Sequence, residues 1–433
     1  MSAMYRDEVP KYGHLIALTK QVNEEALSAD PSLRRQMLES GEIRRLDVER
    51  HGAVRLGTPR ELAMMRRLAA SMGMAPVGYY DLAAAGVPVH ATAFRPTTEV
   101  ELRENPFRLF TSLLRIDLIR DANLRRAAAT LLESREIFSA KAVAMVERYE
   151  AEGGLTDAEA ELLVAEAVKT FRWHGRVRVD QAQYDTMASA HRLVADIVCF
   201  PGPHINHLTP RTLDIDAVQA AMPRYGIVPK DTIEGPPRRR CPILLRQTSF
   251  KALTESIAFA GEDSGRHGSH AARFGEIEQR GAALTPDGRA LYDRLLRDKG
   301  DFGAIPDDAA ALRQQGLCWN RYLPEANQAA RAREIGTDAE ALLEAGCLRA
   351  DPLTYEDFLP VSAAGIFQSN LDGAARSTDL ANGTKAALEA ALEGSIADEM
   401  ELYRSAQAQS LEASAKALGL PFIATEPTSR ITA

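Results

Sequence analysis

Arg50 to Leu56 is a short strand-like run in which Gly52, Val54 and Leu56 share one face and His51, Ala53 and Arg55 the other, and strand-like runs follow at Val77 to Leu82 and Val87 to Phe94. A helix separates the first from the second. Thr58 and Glu61 have capping-box spacing, Pro59 suits the first helical position, and the Ala/Met/Arg-rich run from Glu61 to Met72 stops at Gly73. The resulting order is strand, helix, strand, strand. Beyond Pro106 the apolar spacing changes to three and four, predicting helices over Phe107 to Glu150 and Thr156 to Phe171, divided by Gly153-Gly154. The first order then recurs. Strand-like Ile205 to Thr209 leads to an amphipathic stretch from Asp214 to Met222, then to strand character at Ile243 to Gln247 and Arg273 to Ile277. After Thr285 and Pro286 helical signals dominate: Thr337 and Glu340 read as a capping box, Asp351 to Leu371 as an ordered loop, and Thr384 to Leu418 as a long helical region.

This pattern predicts an α+β chain of two β modules with large helical insertions. A single elaborated domain is expected over 1–433, with module one at about 48–103, a helical insertion at about 104–193, module two at about 194–284 and a helical, loop-rich cap at about 285–433.

Composition narrows the class. With 433 residues and 45% hydrophobic content the chain has ample core. Cys199, Cys241, Cys318 and Cys347 show no C-x-x-C pair and read as reduced thiols. The first residues lack the basic and apolar regions of a secretory signal, and no apolar run approaches membrane-spanning length, so the expectation is a cytoplasmic enzyme. A net charge of -8 would repel nucleic acid, and Arg238-Arg239-Arg240 after Pro236-Pro237 reads as a solvated loop.

The candidate chemistry sits on the strands. His51 and Arg55 share one strand face; His207 lies on a similar strand that also feeds a helix; Glu276 and Glu278 share a face of a later strand. Two histidines and one acid on separate strands are the donor set of a mononuclear Fe(II) oxygenase, because three protein ligands leave one face of the metal open. Glu276, nearer mid-strand, is preferred to Glu278. His90 is the rival to His51, but it follows Pro88 and leads into no helix. His204 reads as a loop residue or a donor behind the metal ligands, and His267 with His270 as a pair in a mobile Gly/Ser loop, while His14, His174 and His191 lack converging partners. Arg55 suits a substrate carboxylate through its planar pair of donors, and equally a structural ion pair. Arg95 is a weaker candidate; Gln247, Thr248 and Ser249 are potential donors to an oxo acid or sheet-packing residues.

These residues carry a family resemblance. A histidine opening a strand in each module, with an acid on the last strand of the second, resembles the vicinal oxygen chelate superfamily, which implies a curved, partly closed sheet around a metal. More closely, the strings Arg50 to Thr58, Gly202 to Arg211 and Phe358 to Phe367 resemble the 2-oxoadipate dioxygenase/decarboxylase family of lysine catabolism, over about Arg50 to Leu371. The resemblance implies His51, His207 and Glu276 as Fe(II) ligands, Arg55 on the distal carboxylate and Val361 bordering the substrate. It also implies that 2-oxoadipate and O₂ become 2-hydroxyglutarate and CO₂, with the 2-oxo acid chelating the metal at His51. The alternatives are a metal-dependent lyase or isomerase that consumes no O₂, and a non-catalytic small-molecule binding protein.

Overall fold

The computed structural model describes residues 1–46, 48–261, 267–359 and 381–425. It divides into two compact units, the first being Met1–Glu234, Gln247–Gln279 and Phe358–Ala397, and the second Gly235–Arg246, Arg280–Asp357 and Asp398–Ala433. Among the described residues, no helix is long and apolar enough to cross a membrane.

The first unit is built on a seven-stranded mixed sheet. Its strands are β1 (Glu49–Leu56), β2 (Ala75–Asp81), β3 (Val89–Arg95), β4 (Arg108–Leu114), β5 (His207–Pro210), β6 (Leu245–Ser249) and β9 (Phe274–Arg280), in the order β2-β3-β4-β1-β5-β9-β6. A separate antiparallel pair joins β7 (Thr254–Ala258) to β8 (His267–Ala271). Four strands from the first part of the chain thus lie side by side, followed by three from the second. The α+β expectation holds, and so does the recurrence of strand-rich segments.

One segment departs from its reading. Phe107 to Glu150 was expected to be helical throughout, yet it opens with β4, inserted between β3 and β1 and buried at all seven positions. A strand covered on both faces loses the alternation that marks a half-buried one, so its apolar spacing mimics a helix. Helices do follow, at Ala122–Glu133, Ala140–Glu152 and Asp157–Thr170.

Strand β1 turns alternation into two environments. Val54 and Leu56 are fully buried in a core cluster with Leu62, Met65 and Leu68 of the helix Pro59–Ala70, and His51 and Arg55 belong to the opposite face. Thr58 and Glu61 make both capping-box hydrogen bonds. Glu61 also forms a buried two-pronged pair with Arg135, with N···O distances of 2.7 and 2.8 Å, tying this helix to the chain after Ala122–Glu133. The N-terminal helices Ser2–Glu8 and Pro10–Ala29, on which the sequence reading was silent, add Tyr5, Tyr12 and Leu15 to the same core. The Tyr5 hydroxyl lies 2.7 Å from the Phe274 carbonyl and 3.0 Å from that of Asn206, bridging the entries of β9 and β5. Gly275 lets this layer close, since a Cβ there would sit 2.4 Å from Phe250 Cε1 and 3.0 Å from Leu15 Cδ2.

The second unit pairs β10 (Asn320–Pro324) with β11 (Leu348–Pro352), two strands the sequence reading did not separate from their surroundings. They pack with the helix Glu399–Leu418 through Tyr322, Leu348, Ala415 and Leu418. Thr285 caps the helix that Pro286 opens, but the cap of Ala339–Glu344 is Asp338 and not Thr337. The long helical region is two helices, Ala381–Leu392 and Glu399–Leu418. Arg239 is not simply solvated: its guanidinium donates to the carbonyls of Phe302 and Ile305 at 3.0 and 2.6 Å and anchors its loop. All four cysteines are free.

Candidate metal centre

The site forms where β1, β5 and β9 run side by side. Antiparallel pairing sets His51 opposite Thr209 and Ala53 opposite His207, and parallel pairing sets His207 beside Phe274 and Leu208 beside Gly275. Side chains two apart share a face, so this register brings His51, Thr209 and Glu276 into one row with His207 diagonal to it. The ligand atoms of His51, His207 and Glu276 all lie within 4.8 Å of one another, and all three residues are buried.

His51 Nε2 is 2.9 Å and His207 Nε2 is 3.9 Å from Glu276 Oε1. Thr209 Oγ1 lies 3.1 Å from His51 Nε2 and 3.3 Å from Glu276 Oε1, and Gln247 Nε2 donates to that same carboxylate oxygen at 2.7 Å. The other carboxylate oxygen, Glu276 Oε2, and the ring nitrogen His207 Nδ1 are buried without a hydrogen-bond partner. Buried polar atoms left unpartnered are costly, and a cation held among these three residues would offset that cost at Glu276.

On its far side, His51 Nδ1 is 2.7 Å from Glu278 Oε2. An ionised carboxylate only accepts, so it holds a proton on Nδ1 and aims Nε2 at Glu276 and His207. Glu278 therefore backs the histidine, while Glu276 belongs to the donor group. The ring of Phe358 meets His51 edge-on at 4.9 Å and joins Phe110 and Tyr80 in an aromatic wall; Phe274 stacks on His207, also at 4.9 Å.

Electrostatics suit a metal as well. Burial pushes the His207 pKa down to about 3, against the opposing pull of Glu276, so the ring is neutral. Burial would also lower His51, but Glu278 and Glu276 outweigh it and hold its pKa above the ordinary histidine value. Burial would raise the Glu276 carboxyl, yet the imidazoles of His207 and His51 reverse this and hold it below its usual range. With His207 uncharged near neutral pH, His51 is the partner that counts. Two imidazoles and an ionised carboxylate fit a divalent transition metal.

The chain can now be set beside known proteins. The family model for 2-oxoadipate dioxygenase/decarboxylase matches residues 1–370. The chain belongs to the 2-oxoadipate dioxygenase/decarboxylase family. Its enzymes of that name from Escherichia coli (strain K12) and Pseudomonas putida are 52% identical over 95% of both chains and 51% identical over 97% of this chain and 95% of the relative. A crystal structure of the hydroxyglutarate synthase from Pseudomonas putida in complex with 2-oxoadipate is 49% identical, covers 97% of this chain and 96% of its own, and superposes with a TM-score of 0.89.

Within this family member the remaining sequence candidates separate clearly. His90 lies on β3, outside the donor group, where burial first and Arg115 second push its pKa down to about 4. Arg55 pairs with buried Asp196, Nη1 to Oδ2 at 2.5 Å. Gln247 serves Glu276, and Thr248 bonds the Thr232 carbonyl at 3.2 Å. Val361 lies outside the described residues. The expected mobile loop around His267 and His270 is instead strand β8, and His270 joins Asp196 and His204 in a second buried group. Sequence reasoning missed that group because its members come from a helix, a loop and a strand, and His270 is far along the chain from the other two. It also gave no role to Thr209, which shares the strand face of His207.

Proposed function

We propose that this chain is an Fe(II)-dependent dioxygenase that converts 2-oxoadipate and O₂ to 2-hydroxyglutarate and CO₂ in lysine catabolism, in the cytoplasm. The observation that carries this reading is the convergence of His51, His207 and Glu276 on three adjacent strands, with two of their buried polar atoms unpartnered. Relatives named for 2-oxoadipate share about half of its residues, 52% and 51% in two of them.

In this reading His51, His207 and Glu276 hold the metal and leave its other face for substrate. Fe(II) supplies Lewis acidity and the electrons that engage O₂. Glu278 fixes the tautomer and orientation of His51 through the 2.7 Å contact at Nδ1. Gln247 and Thr209 fix the Glu276 carboxylate through Oε1, the oxygen that lies nearest His51 Nε2 and His207 Nε2. The rings of Phe358, Phe110 and Tyr80 shield the centre from water. Arg55 stands four residues along β1 from His51, roughly 13 Å between Cα atoms at strand rise, and both side chains reach inward over that interval. A short dicarboxylate fits between them, its oxo-acid end at the metal and its distal carboxylate on the guanidinium, with Val361 bordering it.

The test is an oxygen electrode with Fe(II)-reconstituted protein and a panel of 2-oxo acids. Consumption of O₂ in step with CO₂ release from 2-oxoadipate is expected, with His51→Ala and His207→Ala losing both turnover and metal. Anaerobic turnover by Zn(II)-loaded protein would instead establish a lyase or isomerase and end the dioxygenase reading.

A further inference from the structure

The Arg55 guanidinium leans on a second buried group. Asp196, on the helix Arg192–Val198, accepts from Arg55 Nη1 through Oδ2 at 2.5 Å, while its Oδ1 lies 2.8 Å from His270 Nε2 and 3.1 Å from His204 Nε2. The chain continues outward: the Tyr184 hydroxyl is 2.8 Å from His270 Nδ1. Trp173 and Phe200 enclose the two imidazoles, with ring centroids 4.8 Å from His204 and 4.8 Å from His270 respectively.

Donor and acceptor chemistry fixes the direction of this chain. Burial would raise the Asp196 carboxyl, but Arg55 above all, with His204 and His270, holds it well below the ordinary range, so it is ionised and only accepts. His270 must then donate from Nε2, which sets its Nδ1 against the Tyr184 hydroxyl. His204 Nε2 lies 3.1 Å from Asp196 Oδ1 without the alignment of a hydrogen bond, so its part is electrostatic. Asp196, His204 and His270 have the composition of a metal site, and their ligand atoms lie within 4.8 Å of one another. A dication there would face the Arg55 cation across a single carboxylate, whose oxygens are already engaged by Arg55 and His270. The group is built to hold an arginine.

We infer that Asp196 is a positioning residue that sets Arg55 for the distal carboxylate of the substrate, and that His270 and Tyr184 set Asp196. The inference rests on the reading of Arg55 as the distal-carboxylate anchor. A guanidinium on a flexible stem loses orientation on binding; one held on a fixed, buried carboxylate has lost it beforehand, so selectivity for a dicarboxylic 2-oxo acid is built in before substrate arrives.

The experiment compares 2-oxoadipate with 2-oxohexanoate, which has the same carbon count and no distal carboxylate, on Fe(II)-loaded Asp196→Asn, Tyr184→Phe and Arg55→Ala. Asp196→Asn should raise KM for 2-oxoadipate at least about tenfold, the loss of a charge-assisted hydrogen bond, with kcat, iron content and 2-oxohexanoate kinetics little changed. Tyr184→Phe should move KM in the same direction by about threefold, the loss of one neutral hydrogen bond, and decides the matter if Asp196→Asn does not fold. Equal losses on both substrates together with iron would show a merely structural role and overturn the inference. If Arg55→Ala erases the preference for 2-oxoadipate while the other two variants keep it, the inference alone falls. If Arg55→Ala keeps the preference, the reading of Arg55 falls and takes the inference with it.

Discussion

Glu278 makes a direct prediction about the metal. Its Oε2 lies 2.7 Å from His51 Nδ1, and both side chains are fully buried. Glu278→Gln keeps an acceptor oxygen of nearly the same shape, so Nδ1 stays protonated and Nε2 stays aimed at Glu276, but the negative charge that makes the imidazole a stronger donor is gone. Loss of a carboxylate behind a metal-binding histidine weakens metal binding about 10- to 100-fold. The glutamine, which retains the hydrogen bond, belongs at the lower end, about 1.4 kcal/mol, and Glu278→Ala, which loses both, at the upper end, about 2.7 kcal/mol. Competition between protein and a chromophoric chelator for Fe(II), under argon, measures this. Because Glu278 also supports the charge of buried Arg50, far-UV circular dichroism must establish that each variant is folded. Binding within about twofold of the parent in both folded variants would refute the role given to Glu278.

Two further predictions follow from charge and burial. In metal-free protein the His51 proton is held by Glu278 and Glu276 and its pKa is raised, so its pairing stabilises the fold below the ordinary histidine range and that contribution is lost as pH rises through the raised value. A metal must displace this proton, so Fe(II) affinity should climb with pH across that window with proton release in a weakly buffered solution; pH-independent binding without release would contradict it. Glu61→Ala strands buried Arg135, and urea unfolding should show a loss of about 3 to 5 kcal/mol, whereas a loss under about 1 kcal/mol would mean that the pair is not buried as described.

The strands that bring His51, His207 and Glu276 together were readable in the sequence because each is a short strand-like run carrying a histidine or an acid. Arg55 stands between the buried Val54 and Leu56, Leu208 next to His207 packs into the same core, and the helix cap at Thr58 marks where β1 ends. Strand β4 was opaque for the opposite reason, having no exposed face to leave a pattern. His270 was hidden by composition: His267–Ala271 looks like a loop, yet Gly268 is there because a Cβ would sit 2.5 Å from Phe259 Cζ. Its partnership with Asp196 and His204 depends on tertiary approach, which no local spacing encodes. The choice between Glu276 and Glu278 rested on strand position, and register gave it chemistry: both acids touch His51, one on each ring nitrogen.

The most direct test of the central claim is the fate of isotopic oxygen. Fe(II)-loaded protein turning over 2-oxoadipate under ¹⁸O₂ should give 2-hydroxyglutarate carrying labelled oxygen and CO₂ that is unlabelled, because the carbon that leaves takes its own oxygens with it. Turnover that yields unlabelled 2-hydroxyglutarate, or that proceeds without O₂ uptake, would contradict the account.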